Sequence, residues 1–122
     1  MKVLNSLEEL LDAGRLLHQN IETVRDHATI RSDLEKVSAT ATELAASLRS
    51  LAGAQSADMK NHLAHAATLL QATAQSAKNA SESRNADPKR VRAELLHSTR
   101  NALQGITLAV AAQRAASRKR SA

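Results

Sequence analysis

The sequence predicts an all-α protein, and specifically an antiparallel, up-down-up-down four-helix bundle. Apolar residues recur at three- and four-residue spacing in four segments, which is the period of a helix with one buried face. No segment alternates apolar and polar residues with period two, so no strand is predicted. The breaks between the segments are short, except the one before Asp87, and short connections make consecutive helices antiparallel neighbours.

The first two helices are predicted over residues 4–30 and 32–52. The apolar positions of the first are Leu7, Leu10, Leu17, Ile21, Val24 and Ala28, with Gly14 at the one weak step. The second has an unbroken seam made of Leu34, Val37, Ala41, Leu44, Leu48 and Leu51. Ser32 followed by Glu35 predicts a capping box at the start of this helix, and Gly53 predicts its end.

The third and fourth helices are predicted over residues 57–80 and 88–117. The third has the weaker seam Met59, Leu63, Ala66, Leu70, Thr73 and Ala77. The seam of the fourth consists of Leu95, Thr99, Ala102, Ile106 and Val110, and Leu96 and Leu103 widen its apolar face. Ser56 with Asp58 can start the third helix, and Asp87-Pro88 predicts a capping residue followed by the first helical position of the fourth.

These segments form one predicted domain, a bundle over residues 1–117, followed by a basic disordered tail over residues 118–122. The seams are regular enough to resemble those of a coiled coil. Such seams would serve equally well in a dimer to which each chain contributes two or three helices. The sequence does not distinguish this dimer from a four-helix bundle formed by one chain.

Composition excludes several kinds of site. The 122 residues include no Cys, Phe, Tyr or Trp. The core must therefore be built from Leu, Ile, Val, Ala and Met, and no disulfide, thiolate metal site or cysteine nucleophile can form. The N-terminus reaches acidic residues too early for a signal peptide, and no apolar stretch is long enough to cross a bilayer. We therefore expect a soluble, cytoplasmic protein that does not enter a membrane.

Charge is divided unevenly along the chain. Residues 1–83 carry 8 Lys/Arg and 10 Asp/Glu, a net charge of −2. Residues 84–122 carry 9 Lys/Arg and 2 Asp/Glu, a net charge of +7. The basic residues of the fourth helix, which could contact nucleic-acid phosphates, are Lys89, Arg90, Arg92, Arg100 and Arg114. Against nucleic-acid binding, the chain has no aromatic side chains for base stacking and no evident helix-turn-helix. A solvated basic end is the simpler interpretation.

Catalytic and metal motifs are incomplete. Glu94-x-x-His97 has the spacing of a di-iron ligand pair, but no second pair is present. His62-x-x-His65 lacks a matching carboxylate or thiolate. With three glycines in the chain, a Gly-rich nucleotide loop is unavailable. We predict no metal and no cofactor, and the absence of a complete catalytic constellation argues against a self-contained enzyme.

The stretch at residues 94–106 reads ELLHSTRNALQGI. It carries a histidine followed by a basic residue, an asparagine, a leucine, a glycine and an isoleucine at fixed offsets, at His97, Arg100, Asn101, Leu103, Gly105 and Ile106. This pattern resembles the phosphoacceptor box of bacterial sensor histidine kinases. Ser98 stands where that family has an acidic residue, and Ala102 stands where it has a proline.

The resemblance implies that His97 accepts a phosphoryl group, with Arg100 and Asn101 beside it. At about 100° per residue, His97 lies about 160° from Thr99 on the helix, so its imidazole should face solvent. The box covers about twenty residues, and no second hairpin helix or ATP-binding domain follows it in this sequence, so we expect no complete kinase here.

The function predicted from the sequence is a protein-interaction module of bacterial signal transduction, with a histidine phosphotransfer role for His97. A response-regulator receiver domain is the implied partner. Two alternatives stay open. One is a non-enzymatic adaptor that pairs with partner helices or forms a homodimer, and the other is nucleic-acid binding through the basic C-terminal region.

Overall fold

Four α-helices form an all-α bundle, as the sequence predicts. The computed structural model describes residues 2–24, 30–53, 57–83 and 87–121. The helices are α1 (Lys2–Glu22), α2 (Ile30–Ala52), α3 (Ala57–Glu82) and α4 (Pro88–Ser121). Within these ranges there is no strand, and no helix has the length and apolar character that crossing a membrane requires.

The helices pack as an antiparallel ring in which each contacts its neighbours in sequence and α4 returns to α1. α1 packs more extensively on α4 than on α2. Two long-range contacts show the antiparallel order of α1 and α4. Arg114 donates to Glu8 at 2.8 Å near one end, and Arg92 donates to the carbonyl oxygen of Val24 at 3.0 Å near the other.

The core contains the apolar seams that the sequence predicts. Every predicted seam residue of α3 is buried, as are Leu95, Thr99, Ala102, Ile106 and Val110 of α4. In α1 and α2 the seam is also buried, except that Leu10 and Leu51 are half-buried. Ala28 lies outside the described residues. Because no aromatic side chain is available, Ala residues fill much of the space between the helices.

Two predicted boundaries near the first connection are wrong. α1 ends at Glu22 rather than at residue 30, because the amides of Thr23 and Val24 turn back onto the carbonyl oxygens of Asn20 and Ile21. α2 begins at Ile30, so Ser32 lies inside the helix and is not its cap. Because α2 begins two residues before Ser32, the Glu35 amide lies beyond the first unpartnered amides of the helix and can bond to a carbonyl oxygen one turn earlier.

The other helix ends agree better with the sequence. The amide of Gly53 bonds to the carbonyl oxygen of Arg49 just after α2. The Asp87 carboxylate accepts from the Lys89 amide at 3.1 Å at the start of α4, with Pro88 as the first helical residue, as predicted. Ser56 lies outside the described residues. α4 continues to Ser121, so residues 118–121 of the expected tail are assigned to the helix.

Candidate functional site

His97 lies on the outer face of α4, opposite the residues that hold this helix in the core. His97 is exposed, whereas Leu95, Thr99 and Ala102 on the inner face are buried. The prediction that the imidazole faces solvent is therefore confirmed. A side chain in this position is open to a partner while its backbone is fixed by packing on the opposite side of the same turn.

Asn101 is the polar neighbour of His97. Its Nδ2 lies 3.3 Å from His97 Nε2, because residues four apart on a helix share a face. An amide NH₂ can only donate, so Nε2 accepts with its lone pair and the ring proton of a neutral imidazole is on Nδ1. Both side chains lie at the surface, so Nε2 is close to solvent as well as to the amide.

Arg100 provides positive charge in the same turn. It is exposed, and among the described residues it makes no hydrogen bond or ion pair. Glu94, one turn before His97, has its carboxylate 3.6 Å from the Arg90 guanidinium. In the part of the chain that the structure describes, no carboxylate is therefore bonded to His97, and Ser98 at the following position is half-buried.

α1 and α3 fix the segment of α4 that carries His97. On the α3 side, an added Cβ at Gly105 would lie 3.2 Å from both the His62 carbonyl oxygen and Ala66 Cβ, so the two helices approach closely there. On the α1 side, a Cβ at Gly14 would lie 2.7 Å from Leu103 Cδ2. At Gly105 the neighbours are a backbone carbonyl and an alanine, so the close approach of α3 and α4 depends on the missing Cβ, whereas at Gly14 the neighbour is the end of a flexible leucine side chain.

A partly buried polar contact, which the sequence did not reveal, lies directly beneath this turn. His18 Nδ1 of α1 is 2.7 Å from Thr99 Oγ1, and Thr99 Oγ1 also lies 3.0 Å from the Leu95 carbonyl oxygen. That hydroxyl has a single proton, so it accepts from Nδ1–H while donating to a carbonyl oxygen, or donates to Nδ1 when the ring proton is on Nε2, according to the tautomer of His18. His18 Nε2 lies 3.3 Å from Glu22 Oε1. The contact joins α1 to the inner face of the turn that presents His97.

Among the described residues, the remaining histidines are not gathered with other metal-ligating side chains into a group of three or more. His62 is half-buried and His65 is exposed, both on α3, and no group of three or more metal-ligating side chains comes together within the described ranges. The Glu94-x-x-His97 pair likewise lies on the surface, with Glu94 directed to Arg90. His27 lies outside the described residues.

Three of the five basic side chains that could contact phosphates make contacts within the protein instead. Arg90 pairs with Glu94, Arg92 donates to a backbone carbonyl of α1, and Arg114 donates to Glu8. Lys89 and Arg100 are exposed. Of these five side chains, four are exposed and Arg92 is half-buried.

Comparison with known proteins gives no relative from which a function could be transferred. No family model, no curated protein and no solved structure matches this chain.

Proposed function

We propose that this bundle is a cytoplasmic protein-interaction module of bacterial signal transduction, in which His97 accepts a phosphoryl group from a partner protein. The observation that carries this proposal is the placement of His97. Its imidazole is exposed on a turn whose other side is fixed by the buried Thr99 and its bond to His18. An acceptor must be accessible to the donor and held still relative to its scaffold.

The chemistry follows from the two nearest polar residues. Nε2 holds a lone pair directed at Asn101, which makes it the nucleophilic nitrogen. An acyl phosphate, such as a phosphorylated aspartate of a receiver domain, supplies the phosphoryl group. The Nε2–P bond forms as the bond from phosphorus to the carboxylate oxygen breaks, the carboxylate leaves, and the Nδ1 proton passes to water.

Arg100 and Asn101 then face the transferred group. The guanidinium of Arg100 offsets the negative charge of the phosphoryl oxygens. The Asn101 amide, released from Nε2 when that nitrogen bonds to phosphorus, can donate to one of those oxygens. Ser98 cannot replace the acidic residue of the kinase box as a base, so an activated donor with a good leaving group suits this site better than ATP does.

Phosphorylation by phosphoramidate, followed by intact-mass measurement and peptide mapping, tests the proposal. We expect addition of one phosphoryl group at His97, lost in acid and retained in mild alkali, and abolished in His97→Gln. His65→Gln is the matched control, because His65 is also exposed in a long helix but makes no contact with an amide or arginine side chain among the described residues. This variant should label normally. An unchanged mass, or label that persists in His97→Gln, would refute the proposal.

Nucleic-acid binding has less support from the described residues, because Arg90, Arg92 and Arg114 make intramolecular contacts. The alternative of a non-enzymatic adaptor that pairs with partner helices or self-associates is supported by two exposed leucines, Leu16 and Leu108.

A further inference from the structure

α1 and α2 pack against each other less closely than the other neighbouring helices do. Two depressions lie along the junction between them. One, of about 250 Å³, lies toward the end where α1 is followed by α2, and its lining includes Thr23 and Lys36. The other, of about 460 Å³, lies toward the opposite end, and its lining includes Glu9 and Ser50. The surface that runs from one depression to the other is therefore a candidate for contact with another molecule.

On α1, Leu16 lies between the two depressions. It is 58% exposed, and it lies seven residues after Glu9 and seven residues before Thr23. Residues seven apart lie on the same side of a helix, so Leu16 is on the side of α1 that borders α2. A single exposed leucine is ordinary on a protein surface, so the charges around Leu16 decide what could cover it.

On α2, two opposite charges lie on the same surface. Lys36 lines one depression, and Glu43 lies midway between Lys36 and Ser50, which lines the other. Lys36 and Glu43 are exposed, and within the described residues neither makes an ion pair. They cannot pair with each other, because seven residues of helix separate them by about 10 Å. Glu9, Leu16, Lys36 and Glu43 define what we call the α1–α2 face.

The relative heights of the two helices place Leu16 between these charges. A Cβ added at Gly14 would lie 3.7 Å from Leu44 Cδ2, so these two residues are at about the same level. Because α1 and α2 are antiparallel, Leu16 is then level with the part of α2 between Lys36 and Glu43. The α1–α2 face therefore has an apolar centre with a positive charge toward one end and a negative charge toward the other.

We propose that the α1–α2 face binds a second copy of this chain in the antiparallel orientation. The two-fold axis lies in the interface, perpendicular to the helices and level with Thr40, which is exposed on α2. This rotation brings Lys36 of each copy within about one residue of the level of Glu43 in the other copy, so that two intermolecular ion pairs form. The two Leu16 side chains lie within about one helical turn of the axis, and each is covered by the other copy.

The charges favour this orientation over a parallel one. A positive and a negative charge on either side of the axis complement each other when the second helix is reversed. An axis parallel to the helices would leave Lys36 at its own level, opposite the uncharged Asn20, which lines the same depression. Ala13 and Ser47, exposed on the same sides of α1 and α2, are small, so the helices of the two copies can approach closely.

The area of this face suits a weak dimer. The 21 residues of α1 span about 30 Å, and two adjacent helices are about 20 Å wide. Each copy thus offers on the order of 600 Å², somewhat less than the roughly 800 Å² of a standard interface. Because salt screens exposed ion pairs, the dimer should weaken as salt is raised. α4 takes no part in the face, so His97 stays exposed in the dimer, and the dimer does not depend on the phosphoryl transfer proposed above.

Sedimentation velocity of the full chain between about 10 µM and about 1 mM tests the dimer. We expect the mass to rise from 13.0 kDa toward twice that value. Leu16→Ser should weaken dimerisation at least about tenfold, because the leucine is buried in both copies. Lys78→Glu, which reverses an exposed charge on α3, should not weaken it. Both positions are exposed, so circular dichroism should show that both variants keep the fold.

Charge reversal tests the antiparallel pairing. Lys36→Glu and Glu43→Lys should each weaken the dimer at least about tenfold, because each places like charges opposite one another twice. The chain with both substitutions should dimerise as well as the parent, since both ion pairs return with their signs exchanged. The control combines Glu43→Lys with Lys78→Glu. It has the same net charge as the parent but should stay as weak as Glu43→Lys alone.

Three results would overturn the proposal. A chain that stays monomeric at the highest concentration would leave the α1–α2 face to a different protein. A dimer that tolerates Leu16→Ser would have its interface elsewhere. A double charge reversal that stays as weak as the single reversals would show that Lys36 and Glu43 do not face each other across the dimer.

Discussion

His18 of α1 and Thr99 of α4 are joined by a 2.7 Å hydrogen bond between residues 81 positions apart in the chain. Thr99 is 1% exposed and occupies a position that an aliphatic residue would fill in a uniform seam. The contact is therefore a polar link between the aliphatic core, which contains Thr99, and the half-buried His18 at its border. It specifies one pairing of α1 with α4, since sliding either helix by a turn would leave a buried hydroxyl and an imidazole nitrogen without this partner.

Thr99→Val should destabilise the bundle by about 1–2 kcal/mol. The valine fills nearly the same volume but removes the hydroxyl, so His18 Nδ1 loses its partner in a half-buried position. Thr99→Ser should retain most of the stability, because the hydroxyl remains. Urea denaturation followed by far-ultraviolet circular dichroism gives the free energy of unfolding.

Thr42→Val is the matched control for that measurement. Thr42 donates to the Ser38 carbonyl oxygen at 2.8 Å, the same type of intrahelical bond that Thr99 makes to Leu95, but it is exposed and has no partner on another helix. It should change stability by less than about 0.5 kcal/mol. If the Thr42 and Thr99 substitutions cost the same, the link to His18 contributes nothing.

The glycines of the bundle should respond differently to alanine. Gly105→Ala would place a methyl group 3.2 Å from the His62 carbonyl oxygen and from Ala66, so α3 and α4 would have to separate. We expect a net loss of about 1 kcal/mol, because overpacking outweighs the gain of about 1 kcal/mol in helix propensity. At Gly14 the obstructing atom is the end of the flexible Leu103 side chain, which can rotate away.

Gly14→Ala should therefore be the more stable of the two variants. Thermal denaturation of both variants and of the parent chain would show which variant is more stable. If Gly105→Ala proved more stable than Gly14→Ala, then the close approach of α3 and α4 at Gly105 would not constrain the bundle.

The fold was predictable because burial on a helix is periodic. The seam from Leu34 to Leu48 and the seam from Leu95 to Val110 are both buried as their spacing predicts. The end of α1 was not predictable in the same way. Val24 continues the apolar period and is buried, yet it follows the helix in a turn, and periodicity alone does not distinguish a buried turn residue from one more helical turn.

Part of the candidate site was predictable for a similar reason. The angle between His97 and Thr99 on one helix gave the exposure of His97, which is confirmed. The pairing of His18 with Thr99 could not be derived, because it depends on the relative height of two helices separated by the whole of α2 and α3. The only indication in the sequence was Thr99, a polar residue within the apolar seam of α4, because a buried hydroxyl requires a hydrogen-bond partner.

Arg92 should contribute to stability through the end of α1. Its guanidinium donates to the carbonyl oxygen of Val24 at 3.0 Å, just beyond the last turn of α1, where carbonyl groups lack helical partners. Arg92→Met keeps the aliphatic part of the side chain and removes the donor, so it should cost about 1–2 kcal/mol. Lys89→Met, at an exposed position three residues earlier, removes the same charge and should cost little. Equal losses would indicate that net charge, rather than the bond to Val24, determines the effect.

Arg100 should set the rate at which His97 accepts a phosphoryl group. Charge builds up on the phosphoryl oxygens as the donor bond breaks, and Arg100 has no intramolecular partner in the described structure that would compete for it. Arg100→Ala should lower the second-order rate of labelling by phosphoramidate about tenfold. Arg100→Lys should recover part of that loss, because it restores the charge but not the planar pair of donors.

Arg90→Ala is the control for this last experiment, because it removes one positive charge from the same surface but from a side chain that pairs with Glu94. It should leave the labelling rate nearly unchanged. An Arg100→Ala rate equal to that of Arg90→Ala would mean that long-range charge alone governs the approach of the donor. The guanidinium would then have no direct contact with the phosphoryl group during transfer.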